Sequence, residues 1–368
     1  MKILMIIPSV SKKWGGTTTS LLNFYTGLSQ HSNIACSIVT TVSADEEKEI
    51  STEILDNEDF RLFPTKSVGW RYSKELKEYL KENIKNFDLV WVHALWTGTT
   101  YYAAKYAKQY NVPYIVTPHG MIEPDAMKRK GLKKKLYWSL IEKKVFDNAA
   151  AIHCITEAES SYAKQLTKTK NFVIPNGIEE EPFLFKDDYG SKTICFIGRF
   201  HEKKALDLLL KAMVIVDDIH LLVAGGGEQE YETYIETLVE ELGLNERVTF
   251  KGFADKAVKK EMFSKSSFLV LPSHTEGLSM VGLEAVMHST PVLTTRKCNF
   301  DEVEQFNAGL VMEDNDPETI ANYIEKMLKS DLEQMSKNAH ALAMEKFSIV
   351  SVSSIIYEEF KKITNEKN

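Results

Sequence analysis

Short apolar runs alternate with longer amphipathic stretches along all 368 residues. In the first half, segments 2–8, 34–41, 87–93, 113–117, 150–156 and 172–175 read as strands, and 17–30 and 70–86 repeat with helical period. The rhythm restarts with strands at 193–198, 220–224, 248–252, 268–272, 291–295 and 309–312. Helical patterns at 206–216, 231–242, 256–264 and 283–288 lie between them. Continuous apolar strands separated by helices predict parallel sheets covered on both faces. Two such series predict an α/β chain of two Rossmann-like, doubly wound domains facing a central cleft. The boundary falls at the turn Pro175-Asn176-Gly177 and the polar stretch after it, giving domains 1–178 and 190–348. The tail from 317 to 362 reads as helices, and its last part, 349–368, is free to return to the first domain.

Composition changes little in this picture, but charge sharpens it. The chain is 43% hydrophobic with 45 basic and 52 acidic side chains, net −7. Residues 1–180 hold 24 basic and 20 acidic groups, net +4, whereas 181–368 hold 21 and 32, net −11. One half is therefore suited to an anionic partner, and the overall acidity argues against a nucleic-acid binder. No apolar run approaches the ~20 residues of a membrane span or the apolar region of a signal peptide. Cys36, Cys154, Cys195 and Cys298 are widely spaced, with no CxxC pair, and read as reduced packing residues of a cytoplasmic protein.

In open parallel sheets ligands sit beyond the carboxyl ends of the strands, and the unusual residues fall there. After Pro8 comes a loop with Gly15 and Gly16, then Thr17-Thr18-Thr19 opens a helix. Bare glycines and a helix start suit an anion, and an ordinary Thr cap explains the same residues. The loop is not GxGxxG and no acidic residue closes the second strand, so a dehydrogenase ribose site is not predicted. His119, between Pro118 and Gly120, ends the fifth strand, where it could meet a ligand or serve structure alone. His93 and Trp96 end the preceding strand in similar fashion, as candidate acceptor or membrane contacts, and Trp96 fits a sugar face or the domain edge. In the second half a strand runs into Arg199, with Lys204 before the next helix; the two cations suit a diphosphate, or are simply solvated. Gly225-Gly226-Gly227 is a further loop open to close approach.

The most specific segment is 272–285. Glu276 and Glu284 are eight positions apart, which on a helix places them on nearly one side, roughly 12 Å apart. The amides of Gly277, Leu278 and Ser279 would then be helix-start donors. A sugar hydroxyl at Glu276, a phosphate on the amides and a ribose at Glu284 form the functional reading. Two solvent-facing glutamates form the plain one.

Together these motifs resemble the retaining glycosyltransferases of family 4, which have the GT-B fold. The resemblance covers nearly the whole chain: the Gly-Gly loop, His119-Gly120, Pro175-Asn176-Gly177, Gly198-Arg199 with Lys204, and Glu276 with Glu284 as the E-x7-E signature. It implies that Arg199 and Lys204 hold the diphosphate of a nucleotide-sugar donor and Glu284 its ribose. Glu276 binds hydroxyls of the transferred sugar near Gly277, Leu278 and Ser279. His119 touches the sugar from the first domain, and Gly16, beside Gly15, faces diphosphate and acceptor. It also implies no metal and no cofactor, the two cations standing in for a divalent ion. Retention is explained by same-face attack, the leaving phosphate taking the acceptor's proton. Ala205 and Ser289 stand where the family usually has Gly, and Glu202 where Pro is frequent.

Lys128, Arg129, Lys130, Lys133, Lys134 and Lys135 make six basic residues within eleven, beside Leu136, Tyr137 and Trp138. Such a stretch suits an anionic membrane surface or a lipid-linked pyrophosphate acceptor, or is a solvated helix. The expected function is transfer of a hexose, UDP favoured as the carrier, to a polyprenyl-diphosphate-linked glycan in O-antigen or capsule synthesis. The expected place is the inner face of the membrane. Alternatives are a soluble acceptor or storage glucan, a UDP-sugar 2-epimerase, and a silent sugar-nucleotide-binding protein.

Overall fold

The computed structural model describes residues 1–11, 14–67, 69–128 and 131–365. Arg129 and Lys130 lie outside the described residues, as does the side chain of Lys133. The chain divides into two compact units, Met1–Gly177 with Ile349–Asn368, and Ile178–Ser348.

The first unit is built on seven parallel strands: β1 (Lys2–Ile7), β2 (Ala35–Val42), β3 (Phe60–Pro64), β4 (Leu89–His93), β5 (Tyr114–Thr117), β6 (Ala151–Cys154) and β7 (Asn171–Val173). Their order is β3-β2-β1-β4-β5-β6-β7. Ile3 pairs with Cys36 on one side and Leu89 on the other, and Ile3 to Ile7 have no exposed surface. Helices cover both faces, so these strands carry unbroken apolar runs instead of alternation. Trp91 of β4 packs on Phe24 of helix Gly16–Ser29 and Phe360 of helix Ile349–Asn365, with ring centroids 4.9 and 5.0 Å apart. The two helices touch at Gly27, where a Cβ would come within 2.8 Å of Ile349 and Ser353. Strand β3 is absent from the hydrophobic pattern because it lies at the sheet edge, where only Phe60 is buried.

The second unit holds β8 (Thr193–Ile197), β9 (His220–Ala224), β10 (Val248–Phe250), β11 (Leu269–Leu271), β12 (Val292–Thr295) and β13 (Gly309–Met312), in the order β10-β9-β8-β11-β12-β13. The polar stretch after Gly177 joins this unit instead of hanging free as a linker. The Leu184 amide donates to Ser289 Oγ (2.9 Å), and His340 Nε2 donates to the Glu181 carbonyl (2.9 Å). Ser289 and Ala205, at φ 56° and 52°, both hold left-handed backbone. All four cysteines are buried free thiols.

In each sheet the first strand is central, and the chain builds outward on one side before crossing to the other. β1 therefore neighbours β4, and β8 neighbours β11, with loops diverging from their carboxyl ends. At β1 and β2 those ends are tied by Arg71, 1% exposed. Its Nε donates to the Pro8 carbonyl (2.7 Å), and Nη2 to the Thr41 carbonyl (2.8 Å). Nη1 and Nη2 grip Glu46 at 3.0 and 2.6 Å. Trp14, just before Gly15, donates Nε1–H to the same carboxylate (3.1 Å) and lies under the guanidinium. Burial alone would raise the Glu46 carboxyl; the Arg71 and Ser43 hydrogen bonds overcome it and hold it at about 2.

Glu46→Ala strands a buried guanidinium and should cost about 3–5 kcal/mol at pH 7. Because the folded value is depressed from 4.5 to about 2, Glu46 contributes fully above pH 4.5 and loses its effect as pH falls toward 2. Urea melts at several pH values should show the gap between wild type and variant closing in that window. Ser289→Ala keeps the left-handed strain and removes the acceptor for Leu184, costing about 1–2 kcal/mol. Ser289→Gly loses the same bond but relieves ~1 kcal/mol of strain, so its urea midpoint should lie between the two.

Candidate active site

In the second unit the site forms where β8 and β11 part. After β8 the chain runs through Gly198 and Arg199 into a single 3-10 turn, Glu202–Lys204, and Ala205 turns left-handed to start helix Leu206–Ile215. The glycines after β9 serve this loop and not an open surface. A Cβ on Gly225 would strike the Gly198 carbonyl and one on Gly227 the Phe200 carbonyl, while the Phe200 amide donates to the Gly226 carbonyl (2.9 Å).

Lys204 Nζ forms an ion pair with Glu276 Oε1, and both side chains are mostly buried. Ser273 Oγ donates to the same oxygen (3.0 Å). The Glu276 amide donates to the Lys297 carbonyl (3.0 Å), and Asn299 Nδ2 donates to the Glu276 carbonyl (2.7 Å). The carboxylate is thus held by the loops after β8 and β11, and the Glu276 backbone by the loop after β12. The helix begins only at Met280 and runs Met280–Met287, with Ser279 Oγ capping the Gly282 amide (3.3 Å). Glu276 therefore stands in the loop before the helix, and the expected pair on one helical side does not form. Of Gly277, Leu278 and Ser279, only Ser279 lies at the helix start.

Glu284 does lie on that helix, and both its oxygens accept from Lys259 Nζ at 2.7 Å. Arg199 has a different partner from Lys204: its side chain is 61% exposed and faces Glu228 at 4.0 Å. Lys204, Lys259 and Arg199 thus each face a carboxylate.

In the first unit, Gly15 takes φ 58° as the cap of helix Gly16–Ser29 and has open space on its Cβ side. The expected Thr cap is not used: Thr18 Oγ1 donates instead to the Ser9 carbonyl (3.2 Å). Ala94, Trp96 and His119, after β4 and β5, all have positive φ (69°, 69° and 53°). Left-handed backbone costs an L residue about 1 kcal/mol or more, and its gathering at two neighbouring strand ends marks a site.

His119 is half-buried, and its Nε2 lies 3.0 Å from Nδ1 of His93. His93 itself has no exposed surface, so it stands behind His119 and does not present a contact surface of its own, as the sequence had suggested. His153 completes a histidine cluster, with Nδ1 3.0 Å from Thr117 Oγ1 and Nε2 2.8 Å from the Ile174 carbonyl. Burial, with His153 nearby, pushes His119 down to about 3, and burial pushes His153 to about 4 and His93 well below its usual value. All three rings are neutral at pH 7. The His119 loop is anchored by Glu159, fully buried, which accepts from the amides of Gly120 (2.6 Å) and Ile155 (2.9 Å); burial raises it to about 7 despite both bonds.

The Trp96 amide donates to Glu142 (2.7 Å), and burial raises that carboxyl to about 7. Lys134 Nζ sits 4.9 Å over the Trp96 ring. Lys128 lies on helix Pro124–Lys128, and Lys134 and Lys135 lie on helix Gly131–Tyr137. Leu132, Leu136 and Leu140, at i, i+4 and i+8, are 86, 61 and 58% exposed beside these lysines. Among the described residues no helix is long and apolar enough to cross a membrane.

Sequence reasoning missed Lys259, Ser273, Asn299, Glu142, Glu159 and the Arg71–Glu46 clamp. Glu159, behind the Thr156 cap, carried a local signal, since Thr-x-x-Glu is a capping-box spacing, and Ser43-x-x-Glu46 and Ser273-x-x-Glu276 repeat it. The structure turns the Glu159 carboxylate back onto Ile155 and Gly120.

Residues 14–182 match the family described as Glycosyltransferase Family 4, and residues 178–342 match Glycosyl transferases group 1. The uncharacterized glycosyltransferase MJ1178 of Methanocaldococcus jannaschii is 29% identical over 225 residues, 60% of this chain and 60% of the relative's length. The O-antigen biosynthesis glycosyltransferase WclY of Escherichia coli is 24% identical over 360 residues, 95% of this chain and 94% of the relative. The crystal structure of Anabaena Alr3699/HepE in complex with UDP and glucose has a TM-score of 0.79 at 16% identity, covering 98% of this chain and 100% of that one. Such likeness at low identity concerns the fold, which is GT-B, while the two family matches together run from the Gly15 loop past β13. The chain is a glycosyltransferase of GT-B type, its first half resembling Glycosyltransferase Family 4 and its second the Glycosyl transferases group 1.

Proposed function

We propose that this glycosyltransferase moves a hexose from a UDP-sugar, with retention of configuration, to a polyprenyl-diphosphate-linked glycan in surface polysaccharide assembly. The carrying observation is the Lys204–Glu276 pair where β8 and β11 diverge, in the motif that the family resemblance assigns to the donor. UDP bound to HepE and the O-antigen role of WclY support the donor and acceptor classes.

In this reading the donor's diphosphate takes Lys204 from Glu276, and the freed carboxylate receives hydroxyls of the sugar. Glu284 accepts from the ribose, and the Ser279 helix start faces phosphate. The bond between the anomeric carbon and the phosphate oxygen breaks, and Arg199 with Lys204 stabilises the charge left on the nucleoside diphosphate. The acceptor oxygen bonds to the same face, and its proton passes to the departing phosphate. His119 contacts the sugar. No resident metal or cofactor takes part. The basic helices with Leu132, Leu136 and Leu140 lay the first unit on the anionic inner face of the membrane.

Lys204→Ala and Glu276→Ala should each lower kcat by about 10²–10³ while leaving the thermal melt within a few degrees of wild type. Near-normal turnover in both would remove the assignment. UDP release that proceeds without acceptor, with a change at the sugar's second carbon, would instead indicate an epimerase. Sedimentation with phosphatidylglycerol vesicles checks the surface. Replacing Leu132, Leu136 and Leu140 with Ser, or Lys128, Lys134 and Lys135 with Gln, should leave most of the protein in the supernatant, and unchanged sedimentation would refute the membrane role.

A further inference from the structure

His93 is fully buried, yet only one of its two ring nitrogens is used. Nδ1 faces Nε2 of His119 at 3.0 Å, whereas Nε2 is buried with no hydrogen-bond partner. The rings lie nearly parallel, 5.2 Å apart and 23° from coplanar. Two neutral imidazoles so placed share one proton, and the question is which ring owns it.

If His119 owns it, His93 must carry its own proton on Nε2, a buried N–H with no acceptor. Orphaned buried N–H groups are the rarer and costlier defect, and a bare lone pair is the milder one. If His93 owns it, Nε2 holds only that lone pair. The surrounding groups offer no other solution. Trp91 Nε1 donates to Thr117 Oγ1 (2.7 Å), so Thr117 spends its own proton on Nδ1 of His153, whose Nε2–H goes to the Ile174 carbonyl (2.8 Å). Both oxygens of Glu159 are held by backbone amides. Neither neighbour draws a proton from the pair.

We propose that His93 is a positioning residue that fixes His119 as a neutral imidazole protonated on Nδ1, so that His119 meets its substrate as a hydrogen-bond donor and not as a base. The depressed basicity of both rings agrees with a neutral pair. A donor here suits an electron-rich oxygen on the sugar or its leaving group, and could not take the acceptor's proton. The role toward substrate rests on the transfer reaction proposed above; the tautomer does not.

Long-range proton–nitrogen NMR of the full chain carrying 15N-histidine tests the tautomer directly at pH 7, with His119→Asn and His93→Asn spectra assigning the signals. The expected wild-type pattern is a protonated Nδ1 and bare Nε2 on His119. A protonated Nε2, or an imidazolium, on His119 overturns the proposal. His93→Asn places an amide N–H where Nδ1–H stood and should preserve kcat within about threefold. His93→Phe removes that donor, so the Nε2–H form of His119 should appear and kcat fall roughly tenfold, with the donor KM little changed. An unaltered His119 tautomer in His93→Phe also overturns it. The expected tautomer in a protein that turns over no nucleotide sugar would instead count against the transfer reading alone.

Discussion

Parallel strands covered on both faces leave polar side chains little place within the sheet, and much of the chemistry of this protein follows from that constraint. Ile3 to Ile7, Leu89 to Val92 and Leu221 to Ala224 spend their side chains on the cores. The groups able to meet a ligand are pushed to the carboxyl ends, and there chiefly to the gap where neighbouring loops diverge. The first unit places Arg71, Trp14, His93 and His119 around that gap, and the second places Lys204, Glu276 and Ser273. In both, buried hydrogen bonds hold the loops that would otherwise wander. The left-handed residues Ala94, Trp96, His119 and Ala205 are the strain that such crowding imposes.

Strand positions were legible because burial on two faces writes an unbroken apolar run, as at 2–8 or 220–224. β3 was not, since an edge strand with Arg61 and Pro64 needs no such run. The site divides along similar lines. Glu276, Glu284, Lys204 and His119 stand in recognisable local contexts. Their partners do not: Lys259 meets Glu284 across 25 positions, Lys204 meets Glu276 across 72, and Arg71 meets Glu46 across 25. Contacts of that range leave no spacing to read. The helix start misled for another reason, because Ser279 is a better cap than Glu276 and moves the first turn three residues onward.

The uneven charge of the two halves also acquires a physical form. In the acidic second unit, Lys204, Lys259 and Arg199 face Glu276, Glu284 and Glu228. In the first unit the excess positive charge collects in a stretch that also carries exposed leucines.

The return of helix Ile349–Asn365 to the first unit sets an order of assembly during synthesis. Strands β1 to β7 leave the ribosome first, yet Phe24 and Trp91 wait for Phe360 to close their core. The second unit is continuous and can complete its own core beforehand. The part of the protein made first is therefore finished last, and until then its uncovered aromatic face is what a chaperone would meet.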